Sequence, residues 1–259
     1  MGNIAFKFIQ INIYKGKYLS ALVDFIKREN PDFISMQEVT SGVMNSMEDK
    51  SSDLFEILKK SLLMEGVRSI DYTISDGEGS FGNAVFSKHP IKSSNILRLK
   101  AQESIPLARS DDDDYFPQIP RNLLDATCEI NGKIVHVMSW HGTWTAPPAD
   151  TAVTLSQAEK VADYLSGLDS ETFVLGCDSN NVIQSKTIGL INKVSNNLLL
   201  DSGVLGTTNL KIHKISPVTY LIDYIFTSRN VQKLSVFVPK ITISDHLPVI
   251  AELALGDSL

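Results

Sequence analysis

Apolar residues recur along this chain with two different periods, and the segments that carry them alternate from end to end. Alternation at every second residue belongs to strands with one covered face, and recurrence at three and four residues belongs to helices with an apolar stripe. Residues 4–13 read as a strand. Leu19, Leu22, Val23, Phe25 and Ile26 mark one face of a following helix that stops before Pro31. Residues 32–39 form a second strand and 51–64 a second helix, followed by strands near 70–75, 83–88, 91–99, 123–130 and 133–140. Asn131-Gly132 joins the last two as a two-residue hairpin. A helix over 151–166, with a start at Thr154-Leu155-Ser156-Gln157 and an end at Gly167, precedes a continuous apolar strand at 172–178. A helix at 185–195 and strands at 220–227, 233–238 and 247–254 complete the pattern. This order predicts an α+β fold: a four-layer α/β sandwich, two mixed, mainly antiparallel sheets packed face to face with helices outside. No internal repeat or linker divides residues 1–259, so one domain is expected.

The segment 100–120 carries neither period and holds three prolines and the run Asp111 to Asp114. Aspartates in succession repel one another, so a solvated loop is the first reading and a substrate-side loop the second. A calcium-binding module there would lack the ligand spacing of known loops.

The 30 acidic and 24 basic side chains leave a net charge of −6, with no basic stripe. Sequence-independent tracking along a duplex needs many phosphate-neutralising cations. The balance therefore favours a small substrate or a short nucleic-acid contact. No apolar run reaches the roughly 18 residues of a membrane span, and Met1 to Lys7 lack the apolar block of a secretory signal. Cys128 and Cys177 are too few for a disulfide framework and have no metal-ligand spacing. A cytoplasmic protein is expected and, in the absence of a partner-binding motif, a monomer.

Several apolar runs end on groups able to do phosphate chemistry. Asn12 closes Gln10-Ile11-Asn12, and Glu38 closes Met36-Gln37-Glu38. Taken singly, such an Asn is a turn or cap residue and such a Glu faces solvent. Arg121 precedes the 123–130 strand, and His141 follows the apolar run ending at Trp140. Val174-Leu175-Gly176-Cys177-Asp178-Ser179-Asn180 brings a carboxylate and an amide together at one strand mouth, because alternate residues face one way. Asp223 lies in Ile222-Asp223-Tyr224, and Ser244-Asp245-His246-Leu247-Pro248 follows some twenty residues later. Trp140 alternates with His141 and so belongs to the core, whereas Trp144 stacks a ring or covers a loop. His136 and His213 lie outside these fragments and read as structural or surface residues.

Six fragments in this order, together with the strand Gly82-Asn83-Ala84-Val85-Phe86-Ser87-Lys88-His89-Pro90, resemble the endonuclease/exonuclease/phosphatase (DNase I-like) superfamily across nearly the whole chain. The resemblance implies that Glu38 is a metal carboxylate oriented by Asn12, with Asp245 assisting the metal or positioning. It implies that Asp178 orients or deprotonates the attacking water, Asn180 holds that water or a phosphate oxygen, and His141 donates to the scissile phosphate. Asp223 and His246 form the pair that stabilises developing negative charge. The same resemblance implies that Arg121 contacts phosphate; from the residues themselves, Trp144 is expected either to stack on the substrate or to cover the loop, and Asn209 to add a further amide. Mg²⁺ is the implied cofactor, with Mn²⁺ as substitute.

Three departures stand out. Gly142-Thr143-Trp144 replaces the usual apolar residue after the histidine, and Cys177 and Ser179 flank Asp178. A metal-dependent phosphodiester hydrolase, foremost a nuclease of DNA or RNA, is the leading expectation. A phosphatase or phosphodiesterase of a small-molecule or lipid phosphate, and a non-catalytic scaffold, are the alternatives.

Overall fold

In the first strand, β1 (Ile4–Asn12), Phe6 and Phe8 enter one apolar cluster while Ile9 and Ile11 enter another. This is the period-two pattern expressed as two buried faces. The computed structural model describes residues 4–110, 112–168, 171–213 and 218–256. After β1 come α1 (Leu19–Glu29), β2 (Phe33–Gly42), α2 (Leu54–Leu62), β3 (Glu65–Ile74), β4 (Gly79–Ser87), β5 (Ile91–Arg98) and β6 (Glu103–Ile105). Next are β7 (Asn122–Ile130), β8 (Lys133–His141), α3 (Ala152–Gly167), β9 (Phe173–Asp178), α4 (Lys186–Val194) and β10 (Asn196–Asn197). The chain closes with β11 (Asp223–Thr227), β12 (Val231–Phe237) and β13 (Val249–Leu255).

A seven-stranded sheet runs β12-β13-β1-β2-β4-β3-β6, and a six-stranded sheet runs β10-β11-β9-β8-β7-β5. Most pairs are antiparallel, but β1 and β2 run parallel, as do β8 and β9 and β3 and β6. The two central parallel pairs matter for the site, because each sends two neighbouring strands to the same rim. Leu22, Phe25 and Ile26 of α1 and Leu54, Phe55 and Leu58 of α2 pack with Ile9, Ile34, Met36 and Phe86 on the outside of the larger sheet. Val161, Leu165, Ile188 and Ile191 of α3 and α4 join the cluster of Met138, Trp140, Leu175 and Cys177. Phe6, Phe8, Phe33, Ala126, Val137 and Val174 belong to the layer between the sheets. Each such large side chain contributes about 1.5–3 kcal/mol by leaving water.

The expected sandwich is thus the observed one, with local differences. β3 and β4 begin earlier than periodicity placed them, because pairing along the shared register extends both strands. The irregular segment contains β6, which is too short to show a period and is held by parallel pairing to β3. The cap of α3 is Thr151, whose hydroxyl accepts from the Thr154 amide in a capping box, and not the later Thr-Leu-Ser-Gln start. Gly167 is the last helical residue, and Leu168 takes the cap position without a left-handed turn. The Asn131-Gly132 hairpin has φ of 49° and 80°, the doubly positive backbone that Asn-Gly favours.

Candidate active site

Beneath the common rim the inter-sheet layer changes from apolar to polar within two residues. Along β1 the inward positions run Phe6, Phe8, Gln10, Asn12, and along β2 they run Phe33, Ser35, Gln37. The Gln37 amide donates to Gln10 Oε1 at 3.0 Å and to Ser139 Oγ at 2.9 Å, while Ser35 Oγ donates to the Gly176 carbonyl at 3.1 Å. These buried groups satisfy one another across the sheets, so the layer is closed by its own hydrogen bonds. It fits only because residue 176 is glycine: a Cβ there would lie 2.6 Å from Gln10 Oε1 and from Ser35 Cβ.

The rim above this layer carries the residues singled out in the sequence. Asn12 ends β1, His141 ends β8, Asp178 ends β9, and Asp223 begins the antiparallel β11 directly opposite Asp178. Asn12 Nδ2 donates to Asp178 Oδ2 at 2.9 Å and to Glu38 Oε1 at 3.1 Å. The backbone amide of Asn180 donates to Asp178 Oδ1 at 3.1 Å, and the Asn180 side chain is tied to the Gly142 carbonyl at 3.2 Å. Asp178 Oδ2 also faces two imidazoles, His141 Nε2 at 3.5 Å and His246 Nε2 at 3.7 Å. His246 Nδ1 lies 2.8 Å from Asp223 Oδ2. Glu38 sits at φ 59°, where the pairing of β2 with β4 shifts register between Gln37 and Val39. This bulge breaks the strand's alternation and turns Glu38 toward the same cavity as Asn12.

The surroundings set the protonation states. Burial disfavours charge on His246, but Asp223, Asp178 and Asp245 outweigh it and hold the ring protonated well above the ordinary imidazole range. Burial drives His141 well below that range, aided by the Arg121 and His246 cations. Arg121 Nη1 lies 3.4 Å from His141 Nδ1. A guanidinium only donates, so Nδ1 accepts and the neutral His141 carries its proton on Nε2, facing Asp178. Burial pushes Asp178 up to about 7, against the His246 charge. Behind Arg121, Asp71 lies 3.6 Å from the guanidinium and accepts from Asn122; burial lifts it to about 7.

A divalent cation fits this donor set. Glu38 Oε2 is buried and has no hydrogen-bond partner among the described residues. Asp245 lies close enough to raise the Glu38 carboxyl further, and burial raises Asp245 itself. Converging oxygens with one left unsatisfied suit a hard ion such as Mg²⁺.

The cavity measures about 810 Å³ and is lined by Asn12, Glu38, Arg121, His141, Trp144, Asp178, Asn180, Asp245 and His246. Asn209 is outside that lining. Its side chain donates to the Ser244 and Ile241 carbonyls at 3.0 and 3.3 Å, so its amide holds the Asp245-His246 loop instead of facing a substrate. Trp144 packs edge-on against Phe116 with ring centroids 5.2 Å apart, making one wall. Tyr72 and Phe81 stack at 5.1 Å on another side, and Arg121 lies over Phe81.

Lys15 and His213 line the cavity although neither is expected there from the sequence. Lys15 comes from a short turn after β1 and bears on Glu38. Asp113 reaches the rim, in keeping with the substrate-side reading of its loop, while Asp111 lies outside the described residues. The described aspartates of that run contribute to no three-residue metal-ligating group. His213, expected to be structural or surface, enters the cavity with its ring 6.0 Å from that of His246. Burial drops it to about 4, so it is neutral. No local pattern announces it, because it belongs to an irregular loop. His136, by contrast, stays on the outer side with Asp125 and Glu171.

The sequence model of the endonuclease/exonuclease/phosphatase family matches residues 9–246, and the chain belongs to that family of phosphoric ester hydrolases. No curated protein matches it by sequence. Among solved structures it is similar to an endonuclease/exonuclease/phosphatase from Bacteroides vulgatus, with 17% identity, TM-score 0.75, and coverage of 97% of this chain and 99% of that one. It is similar also to the mannosyl-6-phosphatase of Bacteroides thetaiotaomicron, with 15% identity, TM-score 0.72, and coverage of 96% and 99%. The human nocturnin catalytic domain matches at 16% identity and TM-score 0.69, covering 98% of this chain and 96% of that one. At such identities the likeness is one of fold.

Proposed function

We propose that this chain is a metal-dependent phosphodiester hydrolase, a nuclease of DNA or RNA that works by in-line attack of water. The observation that carries this reading is the Asp178 carboxylate held between the Asn12 amide and two imidazoles in opposite protonation states. Asp178 orients the attacking water and accepts its proton, and Asn180 fixes Asp178 through its backbone amide. The protonated His246, held by Asp223, offers Nε2–H to the charge that builds on the phosphoryl oxygens. Neutral His141 donates from Nε2 on the other side of Asp178, with Arg121 fixing its tautomer. Glu38 and Asp245 would hold Mg²⁺, or Mn²⁺ in its place, while Asn12, expected with them at the metal, orients Glu38 through Nδ2 and accepts from the Tyr14 amide at Oδ1. When bound, the ion supplies charge neutralisation at the phosphate. Trp144 and Phe116 give a base or ring a wall to lie against.

The cavity favours a single scissile group over a long tract. Of its lining, only Lys15 and Arg121 carry permanent positive charge, and the chain has a net charge of −6. The nucleic acid would be gripped over a short stretch, and a small-molecule or lipid phosphate ester is the second reading for the same reason. We further infer one domain acting as a monomer. Among the described residues no helix is long and apolar enough to cross a membrane. Both cysteines are free and buried, which suits the reducing cytoplasm expected for it.

Mg²⁺-dependent hydrolysis across single-stranded DNA, abasic duplex, RNA, sphingomyelin and an inositol polyphosphate tests the reading, with Asp178→Asn and His246→Ala as controls. Cleavage of a nucleic acid, lost in both folded variants, is expected. Turnover of only the lipid or inositol ester would replace the substrate, and full activity in both variants would end the mechanism.

A further inference from the structure

His213 is the cavity residue that the proposed chemistry does not use. One of its ring nitrogens, one of His246 and a carboxylate oxygen of Asp245 all lie within 4.8 Å of one another. His213 Nδ1 is buried and has no hydrogen-bond partner among the described residues. The three ligands are held in relation by Asn209, whose backbone carbonyl accepts from the His213 amide at 2.8 Å. Its own amide donates to the Asp245 carbonyl at 2.7 Å and its side chain to the Ser244 carbonyl at 3.0 Å. The loop bearing His213 is thus fastened to the loop bearing Asp245 and His246.

We propose that His213, Asp245 and His246 form a softer metal site, sharing Asp245 with the Mg²⁺ donors, that takes Zn²⁺ or a similar transition-metal ion and shuts the enzyme off. Two imidazole nitrogens and one carboxylate oxygen suit Zn²⁺, whereas Mg²⁺ selects all-oxygen donors such as those around Glu38. His246 is oriented for zinc, because Asp223 holds its Nδ1 at 2.8 Å, and zinc binding at Nε2 releases to solvent the proton that this nitrogen carries. A carboxylate behind a ligating histidine fixes the ring and raises its basicity. Zn–N distances of about 2.0–2.1 Å place tetrahedral ligands about 3.3 Å apart, so the site closes by a small inward shift. His213 and Asp245 are only partly buried and can supply it.

Occupation takes the His246 nitrogen that the proposed hydrolysis needs as a proton donor, so zinc and turnover exclude one another. The inhibitory half of the proposal rests on that hydrolytic reading. The metal-binding half does not.

The test is Zn²⁺ titration of the full chain against a chromophoric chelator, for wild type, His213→Ala and His213→Cys. Zinc affinity falls at least about tenfold in His213→Ala, or about 1.4 kcal/mol, while the metal-free Tm is unchanged. His213→Cys restores the affinity, and its Co²⁺ complex shows a thiolate charge-transfer band. Equal zinc affinity in wild type and His213→Ala overturns the site, as does a Co²⁺ complex of His213→Cys without that band. On any substrate the enzyme turns over, the Zn²⁺ concentration for half-inhibition rises at least tenfold in His213→Ala, and its zinc-free turnover stays within twofold of wild type. Equal zinc inhibition of both proteins overturns the inhibitory role. If no substrate is cleaved at all, the hydrolytic reading fails while the chelator titration still decides the zinc site.

Discussion

Asp223 and His246, 23 positions apart in the chain, meet at 2.8 Å and leave the second imidazole nitrogen 3.7 Å from Asp178. A carboxylate on one side of the ring fixes the tautomer and favours the cation that the other side presents. Asp223→Asn keeps the shape and removes the charge. Turnover is expected to fall about 10²–10⁴-fold, with the alkaline limb of the kcat profile moving to lower pH as His246 loses its raised affinity for a proton. An unmoved limb in the variant would show that His246 is not the titrating acid.

Glu38 carries a second expectation, through its buried unpartnered oxygen. An ion that binds only the folded chain stabilises it by about 2.7 kcal/mol at a hundredfold excess over Kd, a Tm rise of about 5–10 °C for a chain of this size. Thermal scans with and without Mg²⁺ should show that rise in the wild type and lose most of it in Glu38→Gln. A rise of equal size in the variant would move the ion elsewhere.

Asp71 provides a pH test. Its pKa in the folded chain is about 7 against a reference of 3.8, the cause being burial that Arg121 only partly offsets. A raised pKa means that the folded chain holds a proton the unfolded chain has released. The stability due to the neutral carboxyl is complete below about pH 4 and lost as pH rises through about 7. Asp71→Asn cannot ionise, so wild type should lose about 1–4 kcal/mol relative to it across that window. Urea midpoints from pH 4 to pH 8 read the difference, and parallel curves would refute the assignment.

Gly176 tests the polar layer. A methyl group there meets Gln10 Oε1 and Ser35 Cβ at 2.6 Å, inside a buried hydrogen-bond network. Gly176→Ala should cost about 1–3 kcal/mol, a Tm loss of several degrees, and should reduce turnover by displacing the strand that carries Asp178. A variant as stable as wild type would mean the sheets can part at that point.

Much of this was legible in the residues because each strand states its own two faces. Phe6 and Phe8 against Ile9 and Ile11 give the alternation, and polar endings such as Gly176-Cys177-Asp178 mark the strand mouths. The Asn131-Gly132 hairpin follows from two residues that tolerate positive φ. Asn209, expected at the substrate, instead binds backbone carbonyls, because its sequence neighbourhood does not tell which carbonyls lie within reach. Lys15 and His213 were missed for the complementary reason: they arise from irregular segments with no period, and only the assembled cavity gives them a role.

The sequence by itself therefore determined most of the strands and helices, their buried faces and the polar residues at strand ends, since these depend on periodicity and local backbone preference. The tertiary structure alone decided that Asn12 reaches Asp178 across 166 positions, that a bulge at φ 59° turns Glu38 inward, and that His141 is neutral while His246 is charged. Those outcomes depend on desolvation and on the distances between charges, and neither exists until the two sheets have closed on each other.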